Sequence, residues 1–465
     1  MTIFNHIKKV RYQLIASMVL MGAALVACTG QKEVTKEKEA TDSAVVLSDD
    51  SLLNLVQYQT FQYFWENAEP TSGLAPERTH MDNVYPQNDK DVVTTGGSGF
   101  GLMAILVGVK RGFITREQAL HRYEKIVDYL AKADRFHGAW PHWIKGPTGK
   151  VQPFGQKDNG GDLVETAFMV QGLITVREFF KDGNEAEKAL AEKIDELWKG
   201  VEWNWYTHGQ DVLYWHWSPE YAWEMNFPVG GYNECLIMYV LAAASPTHPI
   251  TKEVYEKGWA RNDSITMDTT CMGLETELDH YETNNDPVGP LFWAHYSYLG
   301  LDPRNLKDQY ADYWKLNVNH AMIQYKYCVE NPKGFEGYGE NCWGLTSSYS
   351  VNGYAGHHPG NEDLGVISPT AALSSFPYTP EQSMDFLRYI YNDADSLVGE
   401  LGPYDAFSFK DKWYTPRYLA IDQGPIPVMI ENYRSGMLWD LFMKAPEVQA
   451  GLEKLGFTTE AKEDE

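Results

Sequence analysis

Positive charge is in short supply in this chain: 39 Lys and Arg stand against 64 Asp and Glu over 465 residues, a formal net charge of −25. Polyanionic ligands are held mainly by Lys and Arg, so nucleic acid and uronic-acid polymers are poor partners for such a surface. Cysteine is scarce too. Five thiols in a chain this long exclude a small scaffold in which cross-links replace a core. Four of them, Cys235, Cys271, Cys328 and Cys342, fit either two bridges in an oxidising compartment or free buried thiols, and their spacing assigns no pairing. No Gly-x-Ser-x-Gly elbow, phosphate-binding loop or dinucleotide fingerprint is present, so no cofactor is expected. The adjacent His357 and His358 lack the usual metal-ligand spacing; they are read as solvent-exposed, and no metal is expected.

Long apolar runs are missing as well. The apolar stretch at 14–27 is too short to span a bilayer well, and it follows Lys8, Lys9 and Arg11, which is the layout of a secretory signal. It runs into Leu25-Val26-Ala27-Cys28, which looks like the lipobox at which a bacterial signal peptidase cleaves before a lipid-modified cysteine. The expected organisation is a lipoprotein signal peptide at 1–27, a flexible tether at 28–47 beginning at lipidated Cys28, and one domain at 48–465. Export would remove Lys8, Lys9 and Arg11 and no acid, taking the net charge from −25 to −28. The protein is therefore expected to be exported and held to a bacterial membrane, periplasmic or cell-surface, through the lipid anchor only; a transmembrane anchor is the competing reading.

Aromatic residues are plentiful, at 14% with 15 Trp and 29 Tyr. Sugars present flat C–H faces and polar edges that Trp and Tyr match, though large cores also use Trp. From 48 to 457 no linker or charge block breaks the chain, but one unit recurs. A glycine-containing turn leads into a helix of small and apolar residues at Gly96-Gly97, Gly160-Gly161, Gly230-Gly231, Gly289, Gly365 and Gly424, at intervals of 64, 70, 59, 76 and 59 residues. Amphipathic stretches at 52–65, 117–133, 185–199, 305–328 and 380–391 lie between them, with a weaker one at 251–259. Nearly all-apolar helices alternating with amphipathic ones predict two concentric layers. The fold class is all-α, an (α/α)6 toroid, with an open helical solenoid as the alternative. In such a ring the glycine turns crowd one mouth, and the irregular, aromatic stretches 136–159, 201–229 and 334–363 can wall a groove there.

Glycoside hydrolysis needs one carboxylic acid to protonate the leaving oxygen and a second carboxylate to activate water or attack the anomeric carbon. Acids beside the glycine turns are Asp158, Asp162 and Glu165 at the second, Glu234 at the third and Asp422 at the sixth. Each has a plainer reading. Asp162 and Glu165 have the spacing of a capping box, Asp158 suits a turn, and Asp422 can cap the last helix. Glu234 is harder to explain away, because it is read as sitting in an otherwise apolar, buried-looking helix, Cys235 to Ala244, where an unpaired charge is costly. Burial there would raise its pKa, as a general acid requires.

These segments together resemble a known family. TTGGSGFGLMAILVGVKRGFITREQA, GGDLVETAFMVQGL, the GGYNE turn and AIDQGPIPVMIENYRSGMLWDLF are similar to the glycoamylase-like domain of glycoside hydrolase family 144, across essentially all of 48–457. The resemblance implies an (α/α)6 fold, inverting hydrolysis, and action on β-1,2-glucan, either endo or by releasing sophorose from chain ends. It places the family's acids on Glu234, on Asp158, Asp162 and Glu165, and on Asp422. Glu234 is then the general acid, and Asp422 the base, with Asp162 in reserve. Trp140, His142, Trp215, Trp217, Trp223, Trp343 and Trp413 are candidate sugar platforms or groove walls. The expected partner is a neutral glucan and the expected state a monomer. A polysaccharide lyase on the same fold and a non-catalytic glycan-binding lipoprotein are the rival readings.

Overall fold

The computed structural model describes residues 47–459 except 281, 282, 284 and 285. The expected signal peptide, Cys28 and all but the last tether residue lie outside the described residues. Helices dominate: α1 Asp49–Trp65, α2 Thr95–Lys110, α3 Arg116–Leu130, α4 Leu163–Phe180, α5 Glu185–Lys199, α6 Leu236–Ala244 and the single turn α7 Lys252–Val254 make up the first half. Two 3-10 turns follow, Leu291–Ala294 and Tyr296–Leu299, and then α8 Tyr313–Glu330, α9 Pro369–Leu373, α10 Pro380–Asn392, α11 Ala420–Gln423, α12 Pro425–Ser435, α13 Met437–Met443 and α14 Pro446–Leu455.

The amphipathic helices begin where their sequences allow. Thr115 and Gln118 form a complete capping box on α3, and Asn184 and Glu187 another on α5, each satisfying amides that the first helical turn leaves free. The apolar helices are buried on all sides, as their composition demands: every residue of α6 is buried, and every residue of α4 except Phe179. α2 packs on α4, α4 on α6, and α6 on the second 3-10 turn; α12 packs on that turn, on α9 and back on α2. The contacts thus link the apolar elements in a cycle, while α3 packs on α2, α5 on α4, and α3 and α5 on each other. Glycine makes the α2–α4 crossing close. A Cβ on Gly99 would stand 2.3 Å from Phe168 O, and one on Gly172 would stand 2.2 Å from Gly99 O, far inside van der Waals contact.

Several units differ from the sequence pattern. Gly96 and Gly97 lie inside α2 rather than in a turn before it. The fourth unit is two 3-10 turns broken at His295, and the fifth is the five-residue α9. α9 stops early because Pro377 follows it, with no amide to extend the helix and a ring that disfavours helical backbone at Phe376. His357 and His358, read as solvent-exposed, are buried; His358 Nδ1 lies 3.6 Å from Asp286 Oδ2. The four cysteines are free, and among the described residues no helix is long and apolar enough to cross a membrane.

The irregular stretches carry short antiparallel ribbons. Arg78–His80 pairs with Arg417–Leu419, Ser348–Ser350 with Gly353–Ala355, and Trp143–Lys145 sits between Val92–Thr94 and Lys150–Gln152. Gly161–Asp162 pairs with His216–Trp217 directly before α4.

Candidate active site

These ribbons wall one cleft of about 1120 Å³, lined among others by Glu165, Glu234, His142, Trp215, Tyr296 and Trp413. Three glycine-turn regions therefore serve one cavity: Glu165 comes from α4, Glu234 from the turn before α6, and Ile421 from α11.

The start of α4 is the most highly organised part of the wall. Asp162 is the N-cap of α4, accepting from Glu165 N at 2.9 Å through Oδ1, while its Oδ2 accepts from His142 Nδ1 and Trp215 Nε1, each at 3.0 Å. Half of the anticipated capping box forms. Glu165 does not reach back to the cap; its Oε2 accepts from Gly96 N at 2.6 Å instead. A Cβ on Gly96 would sit 2.5 Å from that oxygen, so the glycine pattern of α2 is what admits the carboxyl. Burial raises the Glu165 carboxyl to about 7, opposed by the nearby His142 and reinforced by Asp162. Burial and then Asp162 raise Asp158 to about 6, and the Asp158 backbone closes a turn with Gly155. Burial works against a charge on His142, but Glu165, Asp162 and Asp158 outweigh it and raise the imidazole to about 10. His142, Asp158 and Asp162 each bring one polar atom to within 4.8 Å of the others. That spacing suits a cation, but Asp162 Oδ2 already serves two N–H donors.

Glu234 is nearly buried, yet it borders the cleft. It lies in the turn before α6 and not within the helix. Ser297 fixes that turn: its hydroxyl donates to Glu234 O and accepts from Ile237 N. Asp422 sits one layer behind the wall, 1% exposed, and reaches the cleft through Tyr296, whose hydroxyl donates to Asp422 Oδ1 at 3.3 Å.

The aromatic candidates divide by burial. Trp215 and Trp413 line the cleft; Trp215 stacks on Phe227 at 5.1 Å, and His142 on Phe154 at 4.2 Å. Trp140 and Trp343 are corrections: both are fully buried, with indole N–H groups donating to Leu130 O and Gln382 O, so no sugar reaches them. Trp223 has its ring between Trp205 and His208, and Trp217 meets Trp205 and His137 edge to face. Neither lines the cleft; the cluster pins the 201–229 loop.

Four cleft or cleft-backing residues escape a search confined to acids beside glycine turns. Arg78 bonds Tyr349 Oη at 3.1 Å and pairs with Asp89 at 3.1 Å. Tyr296 sits in a segment whose composition reads as core. Asp405, 2% exposed, accepts from Tyr349 N at 2.8 Å; it follows no glycine-turn unit, and only its nearness to Asp422 marks it.

The Glycoamylase family model matches residues 226–446. The chain is 64% identical to the endo-β-1,2-glucanase of Chitinophaga pinensis, solved with sophorotriose and glucose; the match covers 89% of this chain and 99% of that one, with a TM-score of 0.88. It is 46% identical over 440 residues to the exo β-1,2-glucooligosaccharide sophorohydrolase (non-reducing end) of Parabacteroides distasonis, covering 90% of this chain. The chain spans about 60% of the length of that relative. The endo-β-1,2-glucanase of Talaromyces funiculosus, 10% identical with a TM-score of 0.62 over 87% of this chain and 88% of that one, shares the fold alone. The 64% identity over nearly the full length of the Chitinophaga β-1,2-glucanase, on a helical glycoamylase-like fold, shows that the chain belongs to glycoside hydrolase family 144.

Proposed function

We propose that the chain is an inverting glycoside hydrolase that cleaves β-1,2-glucan. One observation carries the reading: Glu165 and Glu234, far apart in sequence, border one aromatic-walled cleft large enough for an oligosaccharide. Among the described residues its walls hold no lysine, and its two arginines, Arg78 and Arg417, are outnumbered by five acids, Glu77, Asp82, Asp89, Glu165 and Glu234, which suits a neutral sugar rather than a uronate. The relatives' names, endo-β-1,2-glucanase and β-1,2-glucooligosaccharide sophorohydrolase, supply the linkage.

In this reading the cycle of apolar elements is the inner layer of an (α/α)6 toroid. Glu234 protonates the leaving oxygen. Asp422, working through Tyr296, a water or a substrate hydroxyl, accepts the proton of the attacking water. Asp162 is less suited to that role, since His142, Trp215 and the Glu165 amide occupy its oxygens; it holds His142 and the start of α4. Trp215, Trp413 and the His142–Phe154 pair offer sugar platforms. Residues 1–27 direct export and Cys28 carries the lipid, so the domain works as a membrane-anchored monomer.

Digesting linear β-1,2-, β-1,3- and α-1,4-glucans in parallel tests the reading. Oligosaccharides are expected from the β-1,2-glucan alone, and cleavage of α-1,4-glucan in its place would overturn the linkage. Short products arising only at chain ends would mark exo action, and a spread of lengths endo action.

A further inference from the structure

Behind Asp422 lies a second buried acid. Asp405 Oδ2 accepts from Tyr349 N at 2.8 Å, and Ser368 Oγ donates to its backbone oxygen at 2.7 Å, so its position is fixed from two sides. Asp422 Oδ1 accepts from Tyr296. One oxygen on each acid, Asp405 Oδ1 and Asp422 Oδ2, is then left buried without an N–H or hydroxyl donor, and the two carboxyl groups are close enough to hydrogen-bond each other. Two ionised carboxylates have no proton with which to make that bond, so one of them must be an acid.

We propose that Asp405 is a positioning residue that shares one proton with Asp422, so that the pair, and not Asp422 alone, takes up the proton of the attacking water. The inference rests on the assignment of Asp422 as base. The step balances as follows. The water O–H bond breaks as its oxygen bonds to the anomeric carbon, and that proton passes to Asp422 Oδ1. The proton on Asp422 Oδ2 moves to Asp405 Oδ1. The glycosidic C–O bond breaks, and its oxygen takes the proton of Glu234. A monoanionic pair becomes a neutral one while Glu234 becomes a carboxylate.

The groups facing the pair are Glu77, Arg78, Tyr296, Tyr349 and Tyr354, and the split between the two acids follows from them. Burial raises Asp405 to about 6, held down by the bond from Asp422 and by Arg78. Burial, and then the adjacent Asp405, push Asp422 well above the ordinary carboxylate range. Unequal values of this kind belong to the pair and not to either residue.

The test is the pH profile of Asp405→Asn. The amide keeps an acceptor for Tyr349 N but cannot take the proton onward. A single buried carboxyl titrates between the two values of a coupled pair, so the acidic limb of kcat/KM is expected to move up from about 6 by about one pH unit. kcat should fall about tenfold, with KM changed by less than about twofold. A limb that stays in place, or moves to lower pH, overturns the shared proton. Infrared spectra of wild type carrying [13C]Asp guard against a variant that fails to fold. At about pH 7.5 a protonated carboxyl band is expected that Asp422→Asn lacks, and its absence from the wild type also overturns the proposal. Asp422→Asn separates the two claims. Hydrolysis at wild-type rate in that variant removes Asp422 as base and the pair with it, whereas an inactive Asp422→Asn beside an unshifted Asp405→Asn removes only the sharing.

Discussion

Glu234→Gln is expected to lower kcat on β-1,2-glucan by about 10³-fold or more while leaving the dissociation constant for the same glucan within a few fold. The amide fills the space of the carboxyl but has no proton acidic enough for the leaving oxygen, so only the transition state loses an interaction. The turn holding residue 234 is fixed through backbone contacts with Ser297, which the substitution does not touch, and the aromatic walls come from other ribbons. Single-turnover hydrolysis together with calorimetric titration of a β-1,2-linked oligosaccharide reads both quantities. Undiminished turnover would remove Glu234 from the chemistry. Absence of turnover in the wild-type protein, with binding intact, would instead identify a sugar-binding lipoprotein.

Glu165→Gln is expected to stabilise the fold at pH 8 relative to pH 5, by up to about 3 kcal/mol more than any change at the lower pH. The sign follows from the raised carboxyl. Glu165 holds its proton to about 7 in the folded protein because it is buried, whereas the unfolded chain loses it near the ordinary glutamate value. Between those values the folded state binds more protons, so the Glu165 contribution to wild-type stability falls as pH rises through the window and is lost above about 7. Glutamine cannot ionise and is spared that loss. His142, raised to about 10, is protonated at both test pH values in the wild type; any proton it loses in the variant at pH 8 adds to the difference. Urea denaturation at the two pH values measures the effect. An equal response at both would mean that Glu165 is ionised in the folded protein throughout.

Much of the helical frame was legible before any coordinates. The all-apolar runs of α4 and α6 can only be surrounded by other elements, and the capping boxes of α3 and α5 stand in the sequence as Thr115 with Gln118 and Asn184 with Glu187. The glycine repeat located the correct regions but for a partly different reason: Gly96, where a turn had been expected, lies within α2 and admits Glu165, while Gly99 and Gly172, outside the expected turns, permit a close helix crossing. What stayed hidden depends on side-chain direction. Trp140 and Trp343 differ from Trp215 only in which way the chain turns them, and no composition argument separates a buried indole from a platform. The buried histidines at 357 and 358 escaped for the same reason. Asp405 was missed because its neighbour in space, Asp422, is distant from it along an irregular stretch, and Tyr296 because an aromatic segment reads as core until one hydroxyl is seen on a carboxylate.

The stereochemistry of the first product tests the account most directly. Proton NMR of a β-1,2-glucan digest, recorded before the sugars mutarotate, is predicted to show the new reducing end as the α-anomer, as attack by water from the face opposite the departing chain requires. A β-anomer appearing first would mean a covalent intermediate, and would contradict the division of labour between Glu234 and the Asp422 side of the cleft.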